Sequence, residues 1–261
     1  MKSGLYLTLN FKKTLSVSVT VVLFFTLVMI ANLTRDLSDT VSGKADGLPV
    51  IVIDAGHGGE DGGTQSADGT LEKEINLAIS IKLDEILRNK GFETVMIRSD
   101  DRMIYDSSAS TQREKKVSDI HNRLKIVEKN EDCVLLSVHQ NYFPESKYSG
   151  AQVFYSKNNP DSKLLAQEIQ GAIVSSLQPD NSRQIKESGT DIYLLYHSQV
   201  PSVMVECGFM SNEAEAERLR SEEYQQNMAQ AIADGLIKFI ESNPEGEVNN
   251  GSENKKYFRM Q

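Results

Sequence analysis

The chain has 261 residues, 28 Lys+Arg against 37 Asp+Glu, a formal net charge of −9, and 39% hydrophobic and 25% charged residues. That composition is ordinary for a folded globular protein, and it excludes a wholly disordered, collagenous or multi-span membrane chain. The acidic balance argues against a nucleic-acid backbone as partner, and two cysteines with no tryptophan exclude a disulfide scaffold.

The charge is unevenly spread. Residues 1–33 hold Lys2, Lys12 and Lys13 and no acid, so removing those three positive charges from −9 leaves −12 on the rest. From Thr14 to Thr34 no residue is charged, and Leu15 to Leu33 is almost entirely apolar or hydroxylic. A run of that length suffices to span a bilayer, and lysines before it stay on the cytoplasmic side. Residues 1–33 are therefore expected to be a signal peptide or N-terminal membrane anchor, with the bulk of the chain exported. Residues 34–47, rich in Ser, Asp, Gly and Lys, read as a linker.

Beyond the linker the pattern alternates between strands and helices. Leu48–Ile53 is a continuous apolar run, as expected of a strand buried on both faces. A Gly-rich turn, 56–63, follows. Residues 73–89 carry Ile75, Ile79, Leu83, Ile86 and Leu87 at helical spacing, and Gly91 stops that helix. Phe92–Ile97 reads as a second strand, 100–116 as a long loop, and about 117–129 as a helix leading into strand Val134–Val138. Ala151–Tyr155 is a further strand, followed by a helix over about 161–177 and a loop over 178–190. Ile192–Tyr196 and Ser202–Val205 read as strands, and a last helix spans about 222–241. Residues 243–261 are polar and read as a disordered tail. The expected class is α/β: a single domain with a twisted, mostly parallel central sheet flanked by helices.

The candidate chemistry sits at strand ends, where open α/β sheets bind ligands. His57 follows the first strand, His139 ends Val134–Val138, and Glu206 ends Ser202–Val205. Glu72 opens the first helix, fifteen residues after His57, across a glycine-rich loop long enough to bring the two together. Two imidazoles and a carboxylate form a three-ligand zinc site with an open fourth position. Such a site acidifies water and polarises a carbonyl, and a second carboxylate can relay the proton. The set suits metal-assisted hydrolysis of an amide or ester. Each histidine taken alone is as readily structural, and His121 and His197 read as structural.

Four blocks in order resemble the zinc-dependent N-acetylmuramoyl-L-alanine amidases of bacterial cell-wall hydrolysis, the Amidase_3 type. They are Ile51-Val-Ile-Asp-Ala-Gly-His-Gly-Gly59, Gly69-Thr-Leu-Glu-Lys-Glu74, Leu136-Ser-Val-His-Gln-Asn141 and Val200-Pro-Ser-Val-Met-Val-Glu-Cys-Gly-Phe-Met-Ser-Asn212. The resemblance covers about residues 49–241. It implies one Zn2+ per chain held by His57, Glu72 and His139, with Glu206 as the catalytic carboxylate, and a catalytic domain over 48–242. It implies cleavage of the amide between the lactyl group of N-acetylmuramic acid and L-alanine of the stem peptide, with peptidoglycan as the partner polymer. Gln140 departs from the alanine common in the family. Ser149–Tyr155, Asp191–Leu195 and Leu219–Tyr224 look like the germination-specific, spore-cortex subgroup. In that subgroup the amidase strips stem peptides so that a separate deacetylase can complete muramic-δ-lactam formation. A one-domain amidase without wall-binding repeats is also a candidate for an activating protein partner.

Several residues keep a bland reading beside a sharp one. Glu74 rivals Glu72 as a ligand, although the motif favours Glu72. Asp54 either orients His57 or caps the turn. Asn141 either binds substrate or shapes a turn, and Arg123 either meets a peptide carboxylate or forms a helix-surface ion pair. Cys207 is expected to face the core, opposite Glu206, and a Cys133–Cys207 disulfide stays open. Two other functions compete: a different cell-wall metal hydrolase, either a peptidase or a deacetylase, and a non-catalytic wall-binding regulator.

Overall fold

A computed structural model describes residues 47–130 and 132–242 of the chain; the expected anchor, linker and tail lie almost wholly outside them. Six strands form one sheet. They are β1 (Val50–Ala55), β2 (Thr94–Met96), β3 (Cys133–Asn141), β4 (Gln152–Tyr155), β5 (Lys186–Glu187) and β6 (Ser202–Phe209). Their spatial order is β2-β1-β3-β6-β4-β5. β2, β1, β3 and β6 run parallel, β4 is antiparallel to β6, and β5 is parallel to β4.

Strand periodicity sorts the side chains onto two faces. Ile51, Ile53, Val134, Leu136, Val138, Val203, Val205 and Cys207 join one apolar core. Helices α1 (Glu72–Asn89) and α3 (Asp161–Ser176) pack there, together with α6 (Glu222–Ser242). Gly235 is where α6 meets α3: a Cβ there would stand 2.5 Å from the Ile169 Cα. The opposite face carries Val52, Leu135 and Met204 beneath α2 (Gln112–Glu128) and the short α4 (Tyr193–His197). The sheet is thus covered on both sides, which is why its central strands read as unbroken apolar runs.

Three helices differ from the sequence reading, and β5 falls in the expected loop over 178–190. α2 begins at Gln112, inside the expected loop, because Thr111 and Glu114 form a capping box: the Glu114 N–H donates to the Thr111 hydroxyl, and the Glu114 carboxylate accepts from the Thr111 N–H. Ile192–Tyr196 is helical rather than extended. A short apolar run does not identify its own period, and one helical turn suffices to bury Leu194 and Leu195 on the second face. A further helix, α5 (Glu213–Arg220), is capped by Asn212, whose Oδ1 accepts the Glu215 N–H.

Cys133 and Cys207 are both free and buried. Leu135 pairs with Ser202, so the two cysteines are separated by seven residue levels, about 23 Å at strand rise. They cannot bridge.

Candidate metal centre

The site forms where the carboxyl ends of β1, β3 and β6 meet the N-terminus of α1. β1 delivers His57 through the turn Gly56–Gly59. His57 takes φ +61°, the only positive φ among the described non-glycine residues, a conformation that persists only when neighbours impose it. The Arg123 Nη2 donates to the His57 carbonyl at 2.6 Å, and Gly58 and Asp61 exchange backbone hydrogen bonds at 2.9 Å. His139 leaves β3 in register with Glu206 of β6, so the two side chains share a face. The His139 ring packs flat over Gly56, where a Cβ would stand 2.2 Å from Nε2.

Glu72 opens α1 and reaches over the sheet edge. Its side chain is 3% exposed, while Glu74 points to solvent. Oε1 lies 3.0 Å from His139 Nδ1, and Oε2 lies 3.3 Å from His57 Nε2. Three N–H donors orient this carboxylate: the Thr64 backbone at 2.9 Å, the Gln140 backbone at 3.1 Å and the Asn76 side chain at 3.2 Å. Asn76 is itself held by the Gly56 carbonyl and the Gln140 amide. The positive end of α1 also favours negative charge here. Of the two glutamates, Glu72 is the one that lies with the two histidines.

One ligand atom from each of His57, Glu72 and His139 lies within 4.8 Å of the others. A tetrahedral ion with donors at about 2.0–2.1 Å sets them about 3.4 Å apart, and the two imidazole–carboxylate spacings, one to each oxygen of Glu72, are of that order. The donor set, two imidazole nitrogens and a carboxylate, fits one first-row divalent cation. The opposed charges shift one another's proton affinity. Glu72 is held far below the ordinary carboxylate range: the two imidazoles outweigh burial, which acts the other way. Burial tends to lower His57, but the Asp61 and Glu72 carboxylates overcome it and bring it up to about 9.

Asp61 is the partner that orients His57. Its Oδ2 lies 2.8 Å from His57 Nδ1, which leaves Nε2 to face Glu72 and is the usual outer arrangement of a metal-binding histidine. Asp54, the residue the sequence offered for this task, does not touch His57. It accepts from Arg123 Nη1 at 2.6 Å and from the Ser137 hydroxyl at 2.7 Å. Arg123 corrects the sequence reading as well. It is 2% exposed and binds Asp54, Asp119 and the carbonyls of Ala55 and His57. It is neither a surface ion pair nor a free cation for substrate. Asn141 ends β3 beyond a register irregularity, and its carbonyl accepts the Met210 N–H. His121 and His197 lie away from the cluster, against the Tyr193 ring at 5.1 and 4.2 Å.

Glu206 stands beside the cluster with Oε2 enclosed and without a hydrogen-bond partner. Burial pushes its carboxyl up to about 7, with Glu72 adding to the rise and the imidazoles opposing it. A carboxyl poised there exchanges protons at neutral pH. Cys207, next along β6, points into the opposite core, and burial raises its thiol far above the usual range. A cavity of about 230 Å³ opens next to the metal cluster, walled by Gly56, His57, Lys116, His139 and Tyr193.

The Amidase_3 family model, described as N-acetylmuramoyl-L-alanine amidase, matches residues 51–238. A structure of the CwlD amidase from Clostridioides difficile in complex with the GerS lipoprotein is similar to this chain, with 40% identity and a TM-score of 0.72. The match covers 75% of this chain and 100% of that one. The uncharacterized protein YqiI of Bacillus subtilis is 36% identical over 193 residues, 73% of this chain and 84% of YqiI. The germination-specific N-acetylmuramoyl-L-alanine amidase of the same organism is 29% identical over 191 residues, 73% of this chain and 79% of that protein.

Proposed function

The chain belongs to the Amidase_3 family of N-acetylmuramoyl-L-alanine amidases, and from that premise we propose that it hydrolyses peptidoglycan with a zinc ion held by His57, Glu72 and His139 and with Glu206 as the catalytic carboxylate. One observation carries this reading: three donors within 4.8 Å of one another, with a carboxyl of near-neutral pKa in register beside them.

When bound, zinc supplies Lewis acidity, polarising the scissile carbonyl and acidifying water. The protein does the rest. Glu206 accepts a proton from the attacking water at its enclosed carboxylate and returns it to the departing nitrogen. The amide C–N bond breaks, leaving a carboxyl on the lactyl group and a free amine on L-alanine. Asp61 keeps His57 in the tautomer that presents Nε2. Thr64, Asn76 and Gln140 fix Glu72, so its carboxylate does not rotate when the site fills. Asn141, at the rim beyond His139, is kept as a contact for the polymer.

The finer biological reading has separate support. The germination-specific relative supports a role in germination, and the sequence resemblance extends the proposal to spore-cortex maturation by way of muramic-δ-lactam formation. The related amidase in complex with a lipoprotein supports a protein partner, which we propose to be an activating one. Export follows from the polymer's location. Anchoring through residues 1–33, with 34–47 as linker, 48–242 as the catalytic domain and 243–261 as a tail, remains part of the proposal. Among the described residues no helix is long and apolar enough to cross a membrane.

Product analysis tests the chemistry. Purified peptidoglycan digested by the protein is expected to yield free stem peptides beginning with alanine, by mass spectrometry, and a chelator is expected to stop their release. Shortened peptides, or intact peptides on deacetylated glycan, would replace the amidase reading with one of its rivals.

A further inference from the structure

A second cavity, of about 300 Å³, lies at the antiparallel edge of the sheet, walled by Gln178, Asp180, Asn181, Arg183, Glu215 and Arg218. Two of its charged groups are already engaged. Glu215 accepts the Gly150 and Phe209 N–H groups at 2.9 and 2.8 Å, and Arg218 lies 3.7 Å from Glu215. Arg183 differs. Among the described residues no carboxylate is within ion-pair distance of it, and its Nε is enclosed with no acceptor. Its Nη2 donates to the Gln152 Oε1 at 2.6 Å, and its guanidinium stacks on the Phe209 ring at 4.8 Å.

This cation is built into place. Gln152 pairs directly with Glu206 across β4 and β6, so the two side chains are neighbours on one face. Gln152 also donates to the Gln184 carbonyl at 2.8 Å, holding the segment that carries Arg183. The Arg183 N–H donates to Asn181 Oδ1, and Asn181 is fixed in turn by the Ala151 carbonyl. Gly150, at φ +90°, leaves room for Asn181, which a Cβ would meet at 2.6 Å. Its charge is felt by Glu206, whose carboxyl it tends to lower, but no described carboxylate pairs with it directly, and a stacked, pre-oriented guanidinium of that kind is suited to a carboxylate ligand.

We propose that Arg183, positioned by Gln152, is a subsite for a free carboxylate of the stem peptide beside the reacting amide. Arg183 is linked to Glu206 through one intervening side chain, Gln152, so a peptide with an acidic residue beyond its first alanine presents a carboxylate on that side of the reacting amide. The inference rests on the amidase reading and adds substrate selectivity to it.

The test uses two muropeptides that differ only in whether the carboxylate of the second stem residue is free or amidated. Wild-type protein is expected to favour the free acid by about tenfold to a hundredfold in kcat/KM, through KM, the range for one charge-assisted hydrogen bond. Arg183→Gln is expected to bring that ratio close to one, and Arg183→Lys to restore part of it. A wild-type ratio near one overturns the subsite while leaving the amidase reading intact, whereas failure to cleave either compound overturns the amidase reading itself. An unchanged ratio in Arg183→Gln, or an equal fall in kcat on both substrates, also rejects the subsite; the latter shows that Arg183 acts through Glu206. Inhibition of the wild-type protein by free and amidated alanyl dipeptides decides the matter should the variants not fold, and equal inhibition rejects the subsite.

Discussion

The two flanks of the metal centre treat charge in opposite ways. On the β1 side, Arg98 and Arg123 are almost completely buried and saturated. Arg98 binds the carbonyls of Ala55, Gly56, Lys73 and Asp100, and Arg123 binds Asp54, Asp119 and the carbonyls of His57 and, shared with Arg98, Ala55. On the β6 side, Glu206 and Arg183 each keep an enclosed polar atom with no partner. Polar groups of native interiors are nearly always satisfied, so each exception calls for an explanation. The first flank is support: it holds the His57 carbonyl in a strained turn. The second flank holds Glu206, the group proposed to react.

The comparison breaks most visibly at Glu206. Glu206→Gln is expected to lower turnover on peptidoglycan by about a hundredfold to ten-thousandfold, the usual worth of a positioned proton carrier. The same variant is expected to keep its metal and to melt no lower than wild type, because an unpartnered buried carboxyl is removed. Activity assay, metal analysis and a thermal melt check all three, and full activity in this variant would remove Glu206 from the chemistry. Arg123→Met is expected to do the reverse. It leaves Asp54 and Asp119 buried without their cation, a loss of about 3–5 kcal/mol, readable by denaturant titration. A variant as stable as wild type would show that the β1 flank is not the support inferred here.

Between these extremes lies Asp61, which touches His57 from outside the cluster. Asp61→Asn retains the side-chain shape but weakens the acceptor for Nδ1. The expected outcome is a loss of about 10- to 100-fold in metal affinity, measured by competition with a chromogenic chelator. His139→Ala serves as the reference, losing stoichiometric metal altogether. An Asp61→Asn protein that binds metal like wild type would leave His57 oriented by its backbone alone.

The uneven legibility of the molecule follows the same division. His57, Glu72, His139 and Glu206 stand at ends of apolar runs or at a helix start, so their convergence was readable once the parallel sheet was. Partners of the supporting flank were not. Choosing Asp61 over Asp54 depends on the left-handed turn at His57, which no residue type announces there. Arg123 has an i, i+4 partner in Asp119 that looks like a surface pair; its burial depends on Asp54, distant in sequence. Asn76 was the missed signal that lay in view, a polar residue on the apolar stripe of α1 between Ile75 and Ile79. Thr111 and Glu114 likewise spell a capping box that moves the start of α2 back from 117.

Asp54 supplies the subtlest way to sharpen the comparison. Burial alone would raise its carboxyl, yet Arg123, with help from His139 and Ser137, holds it below the ordinary 3.8. A carboxyl depressed in the folded state contributes stability above its unfolded value and loses that contribution as pH falls through its folded value. The protein is therefore expected to lose stability below about pH 4 by way of Asp54. In Asp54→Asn, stability at neutral pH falls, because Arg123 is left short of one acceptor, but the slope of stability against pH below 4 flattens. Denaturant titrations from pH 6 to pH 2, with chelator present throughout so that acid release of metal does not contribute, measure that slope. A slope as steep as wild type would assign the acid sensitivity to other carboxylates and leave the Asp54–Arg123 pair a packing feature; a flatter one identifies the pair as the electrostatic anchor of the supporting flank.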